Sequence, residues 1–384
     1  MPKLIRITTA PISLQVLLKG QMTFMQKHGF DVTMISSDGP EVKGLLEQEK
    51  CPHIIVPFTR TISPWKDLLC LLKLIRIFRK IKPDIVHTHT PKAGLLGMWA
   101  ARLTGVPIRL HTVAGLPWME STGALRKLLR LMEQLTGMAA SRVYPNSFVL
   151  QEFLLQQKVA TNKMKVLGKG SSNGIDTDYF SINETNAKQA ANLREEKKMV
   201  GDAWVWIFVG RLVKDKGIGE LLDAFQKLHK DFPADRLWLV GYEEPERDPL
   251  DDRHREILHT DTSIISWGFQ KDIRPYLAAA QVLAFPSYRE GFPNVPMQAG
   301  SMNCMLLLSD INGCNEIVDE NINGMLVPPK NAEKLLDAML TIRRNEPQRN
   351  IFATAIREKI KSHYDQQMIW NILLQEYQSL LNKK

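Results

Sequence analysis

The sequence predicts an α/β protein built from two domains with parallel sheets. Short apolar runs typical of buried strands alternate with helical stretches along the chain. A chain of 384 residues is too long for one core and suits two α/β domains of ordinary size. We expect a first domain over 1–180, a linker at 181–202, a second domain over 203–362 and a C-terminal helix within 363–384.

The first domain opens as a strand at 4–8, a helix at 15–28 and a second strand at 31–36. The loop between the first strand and the helix, Thr9-Ala-Pro-Ile-Ser, contains no glycine. It does not match the dinucleotide-binding fingerprint, so we reject NAD as a cofactor. Further strands are expected at 83–89, 107–113 and 142–145.

Two helical stretches of the first domain, 65–81 and 123–138, combine apolar with basic residues. The basic residues are Lys66, Lys73, Arg76, Arg79 and Lys80 in the first stretch and Arg126, Lys127 and Arg130 in the second. Such helices are typical of proteins that lie on a membrane surface. For the first stretch, a helix packed on the core with a solvated basic face is an equally good explanation.

The net charge of +9 is divided unevenly along the chain. Residues 1–182 hold 24 Lys and Arg against 12 Asp and Glu, a charge of +12, and residues 183–384 hold 26 against 29, a charge of −3. A basic half indicates a nucleic acid, an anionic membrane surface or a phosphorylated substrate. Because no recognised nucleic-acid-binding motif appears, we expect no nucleic-acid partner.

No apolar stretch reaches the ~18 uncharged residues that a membrane span needs. The N-terminus also lacks the charged region, apolar core and small-residue site of a secretory signal. We therefore expect a cytoplasmic protein. The four cysteines form no CxxC pair and no metal-site spacing with the histidines, which indicates reduced core thiols.

The second domain begins with a strand at 204–209, which is followed by a loop with two basic residues. Arg211 and Lys216 lie five residues apart, between Gly210 and Gly217, before a helix at 218–229. A loop between strand and helix offers backbone N–H groups and the helix dipole to phosphate, and Arg and Lys strengthen such binding. Ordinary surface cations explain this pattern equally well when it stands alone. The alternation continues with strands at 236–241, 263–268, 282–285 and 305–308 and helices at 273–280 and 365–381.

Residues 285–318 form a strand, a loop, a helix at about 294–302 and another strand. A carboxylate, Glu290, lies in the loop before Gly291. The loop after a parallel strand opens into the ligand crevice of such folds, and the next helix N-terminus attracts anions. A surface glutamate beside a turn glycine is the better explanation when this segment is considered alone.

Together these motifs resemble the retaining family-four glycosyltransferases, which have the GT-B fold of two Rossmann-like domains facing a central cleft. The resemblance covers nearly the whole chain. It rests on Gly210-Arg211 with Lys216-Gly217, Gly241, Trp267-Gly268-Phe269, Pro286-Ser287 through Pro293, Asp310 through Val318, the run from His87 to Gly97, and Asn173-Gly174-Ile-Asp176. It also implies that the C-terminal helix returns to the first domain.

The resemblance implies specific roles for residues of the second domain. Arg211 and Lys216 would bind the donor diphosphate and stabilise its growing charge, and Glu290 would bind hydroxyls of the donor sugar. The remaining donor-binding residues it implies are Gly210, Gly268, Phe269, Gly291, Phe292, Pro293, Asn294, Val295 and Gln298. No covalent nucleophile and no metal cofactor are implied.

Two positions depart from the family pattern. Gln298 stands where the family has a second glutamate that contacts the donor ribose, and an amide can still hydrogen-bond there. Ala114 stands where many members have a histidine before the glycine of the acceptor loop, here Gly115. The acceptor-side candidates are therefore His89, His111, Glu133 and Gly115, although a lone histidine at a strand end is more often structural.

Asp176 and Asp178 resemble the paired carboxylates that hold a divalent metal in many sugar transferases. They follow an Asn-Gly turn, where a helix cap explains them better, so we expect no metal site.

The predicted function is transfer of a hexosyl or N-acetylhexosaminyl group from a nucleotide sugar, UDP-linked by preference, with retention. The resemblance implies a polyprenyl-diphosphate-linked glycan as acceptor, in capsule or O-antigen synthesis at the inner face of the cell membrane. An anionic membrane surface is accordingly an expected partner. The alternatives are a GT-B sugar-nucleotide epimerase and a non-catalytic nucleotide-sugar-binding scaffold of a membrane assembly complex.

Overall fold

The computed structural model describes residues 1–59, 61–116, 118, 121–199, 201–244, 246 and 248–383. The chain divides into two compact units. Unit 1 comprises Met1–Gly174 with Gln366–Lys384, and unit 2 comprises Ile175–Asp365. Each contains one six-stranded sheet whose neighbouring strands all pair in parallel. The predicted α/β class is confirmed.

The sheet of unit 1 has the order β3-β2-β1-β4-β5-β6. Its strands are β1 Lys3–Ile7, β2 Asp31–Ser36, β3 His53–Ile55, β4 Ile85–Thr88, β5 Ile108–Val113 and β6 Arg142–Pro145. The chain moves from β1 to one edge and then crosses back to β4, so the strand order reverses between β1 and β4. Loops at the carboxyl ends of these two strands therefore diverge around a crevice, which is where ligands bind in open α/β sheets.

Helices cover both faces of this sheet. They are α1 Gln21–Lys27, α2 Val42–Glu49, α3 Pro64–Ile81, α4 Pro91–Leu103, α5 Gly123–Ala139, α6 Phe148–Gln156 and, from the end of the chain, α15 Gln366–Asn382. Helices α3, α4 and α5 bury side chains in one shared apolar core, and α1 and α15 contribute to a second core.

The C-terminal helix α15 belongs to unit 1, as predicted. Its apolar stripe is buried against β1, β4 and the region of α1, and it includes Trp370, Leu373 and Tyr377. Trp370 also donates a hydrogen bond from Nε1 to Asn173 Oδ1 at 2.7 Å. The first sheet therefore has an apolar core that is completed by residues from the other end of the chain.

The single helix predicted at 15–28 is wrong. The structure has a π-helical turn at Ser13–Leu17, and α1 begins only at Gln21. Gly20 interrupts the helix with a left-handed backbone (φ 83°), and a Cβ at this position would lie 2.5 Å from the Trp370 ring. Close packing of α15 thus requires glycine here and divides the helical stretch in two.

The sheet of unit 2 has the order β12-β11-β10-β7-β8-β9. Its strands are β7 Val205–Val209, β8 Arg236–Val240, β9 Ile264–Gly268, β10 Val282–Phe285, β11 Met305–Ser309 and β12 Met325–Val327. Here the order reverses between β7 and β10. The loops that follow these two strands contain the candidate donor residues.

The helices of unit 2 pack on both faces of its sheet. They are α7 Glu184–Glu196, α8 Ile218–Asp231, α9 Asp252–Thr260, α10 Arg274–Ala279, α11 Asn294–Ser301, α12 Cys314–Ile317, α13 Ala332–Arg343 and α14 Glu346–His363. The strands β7, β10 and β11 are buried along their whole length, as expected for the centre of a parallel sheet.

The stretch 181–202, predicted as a linker, contains helix α7 within unit 2. A capping box starts this helix, since the Asn183 side chain accepts from Asn186 N and the Asn186 side chain accepts from Asn183 N. The helix packs against α10, and Arg194 donates to the Ala279 and Ala203 carbonyls. Only Asn186 and Ala190 are buried, which explains why the sequence shows little apolar rhythm here.

None of the helices in the described part of the chain is long and apolar enough to cross a membrane.

Candidate functional site

The loops after β7 and β10 meet at the point where the strand order of unit 2 reverses. A 3₁₀ turn at Lys214–Lys216 follows β7, and Gly217 begins α8 with a left-handed backbone (φ 69°). A Cβ on Gly217 would lie 2.1 Å from the Pro286 carbonyl oxygen. Glycine therefore allows the two loops to touch, and this contact brings Lys216 beside the residues that follow β10.

Lys216 and Glu290 form an ion pair at the centre of these loops. Lys216 Nζ lies 2.6 Å from Glu290 Oε1, and both side chains are largely but not fully buried, at 15% and 17% exposure. Ser287, which is fully buried, donates from Oγ to the same carboxylate oxygen at 3.0 Å. The sequence placed Lys216 and Glu290 in one site, but it did not single out Ser287.

Arg211 forms a second pair in the same region. Its Nη1 donates to Glu244 Oε2 at 2.8 Å, and the two side chains are 36% and 20% exposed. This hydrogen bond raises the pKa of Arg211, so the guanidinium stays charged. Glu244 follows β8 and has no distinguishing pattern in the sequence.

The loop that contains Glu290 and Gly291 is bound by the segment that follows β11. Asn312 Nδ2 donates to the Glu290 and Gly291 carbonyl oxygens at 3.1 and 2.8 Å. The backbone at Gly313 passes so close to this loop that a Cβ there would lie 2.3 Å from the Gly291 carbonyl oxygen. The motif that begins at Asp310 therefore positions the Glu290 loop.

Further contacts hold the two loops together. Arg289 Nη2 lies 3.0 Å from Asp215 Oδ2, and Tyr288 N donates to the Asp215 carbonyl at 2.9 Å. Tyr288 also donates from its hydroxyl to Glu220 at 2.6 Å, and burial followed by this bond raises the pKa of the phenol. These residues lay outside the predicted set, although Tyr288 and Arg289 are adjacent to Glu290.

Helix α11 begins directly after this loop. Pro293 is its N-cap and supplies no side-chain hydrogen bond, so the first N–H groups, on Asn294 and Val295, are not capped by that residue. Phe292 is buried at the start of the turn. Gln298 lies on the same helix, half-buried, and its side chain makes no hydrogen bond to any described residue.

Two exposed aromatic side chains follow β8 and β9. Phe269 is 71% exposed, and its ring meets Tyr242 edge-on with centroids 6.3 Å apart. Gly268 ends β9, and its carbonyl accepts from Gly241 N at 2.9 Å. The backbone of Gly210 also packs directly against Gly241, because a Cβ on Gly241 would lie 1.8 Å from the Gly210 carbonyl oxygen. An aromatic pair is thus available beside the charged loops.

In unit 1, the predicted histidines are buried. His89 is 8% exposed, its ring lies 4.3 Å from that of His87, and its Nε2 has no hydrogen-bond partner in the described structure. Burial, followed by the nearby His87, Arg6 and His111, holds the pKa of His89 well below its ordinary value. His89 is therefore neutral near pH 7, and its Nε2 is a buried nitrogen without a partner among the described residues.

His87 connects the sheet to α15. Its Nδ1 lies 2.6 Å from the Tyr377 hydroxyl, and its Nε2 lies 2.7 Å from Thr112 Oγ1. Arg6 Nη1 donates to the same Tyr377 oxygen at 2.6 Å, so that hydroxyl uses its own proton toward His87. Burial and Arg6 lower the pKa of His87 well below its ordinary value. These contacts give His87 a structural function.

His111 and Glu133 approach each other inside unit 1. His111 Nε2 lies 3.5 Å from Glu133 Oε1, and both are nearly fully buried. His111 Nδ1 is 2.8 Å from Thr88 Oγ1. His111 is therefore the partner of the buried Glu133 carboxylate, at a distance longer than an ordinary hydrogen bond. Gly115 follows the end of β5, where the Ala114 carbonyl accepts from Asn146 at 3.4 Å.

The Asp176 and Asp178 carboxylates do not form a cluster with other ligand groups. Asp176 Oδ1 accepts from Tyr179 N at 2.9 Å and so caps a turn, where the sequence predicted a helix cap. In the described ranges, no group of three or more His, Cys, Asp or Glu side chains could hold a metal ion.

Comparison with protein families gives a match in each unit. Residues 13–147 match the glycosyl transferase 4-like family model, and residues 203–345 match the family model of glycosyl transferases group 1.

Curated relatives match almost the whole chain. The capsular polysaccharide biosynthesis glycosyltransferase CapM of Staphylococcus aureus is 32% identical over 370 residues, covering 96% of this chain and 94% of that protein. The UDP-Gal:α-D-GlcNAc-diphosphoundecaprenol α-1,3-galactosyltransferase of Escherichia coli is 26% identical, covering 94% of each chain.

The crystal structure of HepE from Anabaena, in complex with UDP and glucose, has a similar fold. It gives a TM-score of 0.82 at 19% identity, covering 99% of this chain and all of the other. This likeness confirms the predicted GT-B fold class.

Proposed function

The chain belongs to the group 1 glycosyltransferases, and we propose that it transfers a hexosyl or N-acetylhexosaminyl group from a UDP-sugar to a lipid-linked glycan. The acceptor we propose is a polyprenyl-diphosphate-linked intermediate of capsule or O-antigen synthesis. The name of the E. coli relative supports both proposals, since it describes a UDP-linked donor and a diphosphoundecaprenol acceptor. The epimerase and the non-catalytic scaffold are not favoured, because the relatives are named as transferases.

The ion pair between Lys216 and Glu290 carries this proposal. The two groups now satisfy each other at 2.6 Å, and both remain partly open to solvent. A diphosphate would attract Lys216, and a sugar hydroxyl would donate to the carboxylate thus released. A nucleotide sugar carries a diphosphate and sugar hydroxyls in one molecule. It can therefore offer new partners to Lys216 and to Glu290 at the same time.

Positive charge in this region would stabilise the leaving group. As the bond between sugar and diphosphate breaks, negative charge grows on the phosphate oxygens, and Lys216 and Arg211 would interact more strongly with it. The N–H groups of Asn294 and Val295 and the dipole of α11 would add to this field. Because the charge comes from fixed side chains, we propose that transfer requires no bound metal. We expect full transferase activity after EDTA treatment. A loss of activity that a divalent ion restores would contradict this proposal.

The nucleoside would lie beside the exposed aromatic pair. Phe269 offers a flat apolar face near Gly268, and stacking on a base would bury surface that is now in water. Gln298, which has no hydrogen-bond partner among the described side chains, would hydrogen-bond the ribose in place of a glutamate.

Replacement of Lys216 tests the donor assignment. Lys216→Ala should reduce kcat about 100-fold or more, since one electrostatic group aimed at the leaving group is lost. Lys214→Ala is the matched control, because Lys214 lies on the same 3₁₀ turn but points to solvent. A fully active Lys216→Ala enzyme would refute the diphosphate role. The donor itself can be identified by thermal shift with a panel of nucleotide sugars, followed by product NMR to establish retention.

Helices α3 and α5 support an acceptor at a membrane. On α3 only the stripe of Cys70, Leu74 and Phe78 is buried. Trp65 and Leu69 remain 82% and 65% exposed beside the basic residues of this helix. Packing on the core therefore does not account for these apolar side chains, and exposed apolar surface of this kind is typical of an interaction site. On α5 the exposed large apolar residues are Leu125, Leu128, Leu131 and Met138.

We propose that these faces attach unit 1 peripherally to the inner face of the cell membrane. An anionic surface attracts each nearby cation by about 1 kcal/mol, and the exposed apolar side chains would enter the headgroup region. Flotation with vesicles of phosphatidylglycerol and phosphatidylcholine should show binding that weakens with salt. Leu69→Glu should weaken it, whereas Ile322→Glu, at an equally exposed site of unit 2, should not. No binding at low salt would contradict the proposal.

A further inference from the structure

A cavity lies in unit 2 at the end of the sheet opposite the donor loops. Its volume is about 190 Å³, and it is lined in part by Met305 and Met325, the first residues of β11 and β12. The connection between α13 and α14 and the first turn of α14 form another wall, with Gln348 and Arg349. The donor loops follow the carboxyl ends of the strands, so this cavity is separate from the donor site.

Arg349 makes no side-chain hydrogen bond to any residue in the described part of the chain, although its side chain is only 14% exposed. Its Nε is fully enclosed and has no partner. One face of the guanidinium lies 5.2 Å from the centre of the Trp204 ring. Buried guanidinium donors normally have acceptors, so this arginine lacks the oxygen atoms that its position calls for.

The nearest carboxylate does not supply them. Glu346 Oε1 lies 3.7 Å from Arg349 Nη2, beyond hydrogen-bond distance, and this glutamate is 62% exposed to water. The pair therefore gives partial charge compensation and leaves the Nε–H group unsatisfied. Because Nε is shielded from solvent, an anion in the adjoining cavity would meet the terminal Nη groups of Arg349 and would supply charge and acceptor atoms to them.

The rest of the lining restricts the chemistry of that anion. Gln348 is half-buried, and its side-chain amide makes no hydrogen bond to the described residues, so it can donate as well. Met305 and Phe352 form an apolar floor. The volume is several times the ~30 Å³ that one water molecule occupies, which leaves room for a phosphate or a short-chain carboxylate.

We propose that this cavity is a binding site for a small oxyanion, a phosphate or a carboxylate, which Arg349 and Gln348 hold by hydrogen bonds. The site lies in the donor-binding unit but shares no residue with the donor loops. The proposal does not depend on the transferase reaction.

The test is thermal unfolding of the full chain in sodium phosphate and, separately, in sodium butyrate, with sodium chloride at equal ionic strength as reference. A bound anion raises the unfolding midpoint by mass action. We expect a rise with at least one of the two anions that chloride does not give. A rise with phosphate alone that Arg349→Gln reduces assigns the site to phosphate, and a rise with butyrate alone that this variant reduces assigns it to a carboxylate.

Arg349→Gln should need at least about tenfold more anion for the same rise, because it removes a charged donor. Arg344→Gln is the matched control, since Arg344 is 62% exposed and paired with Asp231, and it should respond as the wild type does. Phosphate bound at Lys216 contributes equally to both proteins, so their difference isolates the cavity. If Arg349→Gln does not fold, Gln348→Ala gives a second test with an expected weakening of a few-fold. No rise above chloride in the wild type, or equal responses in wild type and cavity variants, would overturn the proposal.

Discussion

Both units reverse their strand order at one point in the sheet, but they fill that point differently. In unit 2, the loops after β7 and β10 present Lys216 and Glu290 as a partly open ion pair. In unit 1, the corresponding loops after β1 and β4 are joined by Thr9 and Thr90, whose hydroxyls lie 2.7 Å apart. Below them Arg6 and His87 are fully buried and share the Tyr377 hydroxyl.

The difference shows that topology alone does not determine how such a crevice is used. An ion pair that remains partly open to solvent can exchange its partners for the groups of a charged ligand. A buried network of Arg6, His87 and Tyr377 cannot be opened without leaving several groups unsatisfied. We therefore expect substitutions at the unit 2 reversal to affect activity, and substitutions at the unit 1 network to affect stability.

The largest expected effect is on activity and concerns Glu290. Glu290→Gln keeps the size of the side chain but removes the charge that binds Lys216 and that we propose to bind a sugar hydroxyl. We expect kcat/KM to fall about 100-fold or more, a loss of about 3 kcal/mol of transition-state stabilisation. The free energy of unfolding should change much less, which urea denaturation would show. A large loss of stability with near-normal kcat/KM would instead give the Lys216–Glu290 pair the structural role that we assign to the unit 1 network.

The next effect is on stability and concerns Tyr377. Tyr377→Phe removes one hydroxyl and leaves both Arg6 Nη1 and His87 Nδ1 without that partner in a buried site. We expect the free energy of unfolding to fall by about 2 to 4 kcal/mol in urea denaturation. Tyr242→Phe, at a side chain 48% exposed, is the matched control and should be close to neutral. Equal stability of the two variants would show that the network contributes little.

A third effect is the pH dependence of unit 1. Burial holds the pKa of His89 well below its ordinary value near 6.5, whereas in the unfolded chain the same ring titrates near 6.5. Below pH 6.5 the unfolded state therefore binds the proton that the folded state excludes, and stability falls as pH decreases. The slope should be about 1.4 kcal/mol per pH unit for this histidine. His89→Gln should remove that part of the slope between pH 6.5 and 5. An unchanged slope would mean that His89 is not buried in its neutral form.

The smallest effect concerns the second ion pair of unit 2. Glu244→Gln removes the charged partner of Arg211, which is partly exposed, so the free energy of unfolding should change by less than about 1 kcal/mol. The released guanidinium should be more available to a diphosphate, and UDP should bind a few-fold more tightly by calorimetry. Weaker UDP binding would indicate that Glu244 positions Arg211 for the ligand.

Much of the fold could be predicted because the signals are local. The apolar runs of the central strands mark their own positions, and glycine-bounded loops mark the strand ends. The family resemblance also placed Lys216 and Glu290 in one site although they are 74 residues apart. Helix α7 was missed because only two of its residues are buried, although the Asn183 cap and a run of strong helix formers were available signals.

The supporting contacts could not be predicted because they depend on long-range packing. Arg6 and Tyr377 are 371 residues apart, and no property of either segment indicates the other. Glu244 and Asn312 occupy irregular loops, where a single polar residue has no periodicity to distinguish it. Gly20 is a similar case, since it is required by the approach of Trp370 from the end of the chain.

The return of α15 to unit 1 has a consequence for the order in which the protein is made. During synthesis, residues 1–174 emerge first, but the apolar core that Trp370 and Tyr377 complete is missing until residues 366–382 leave the ribosome. Unit 2 is continuous in sequence and has all its strands before that moment. The unit translated first is thus the last to be finished, and its incomplete core is exposed to chaperones throughout most of translation.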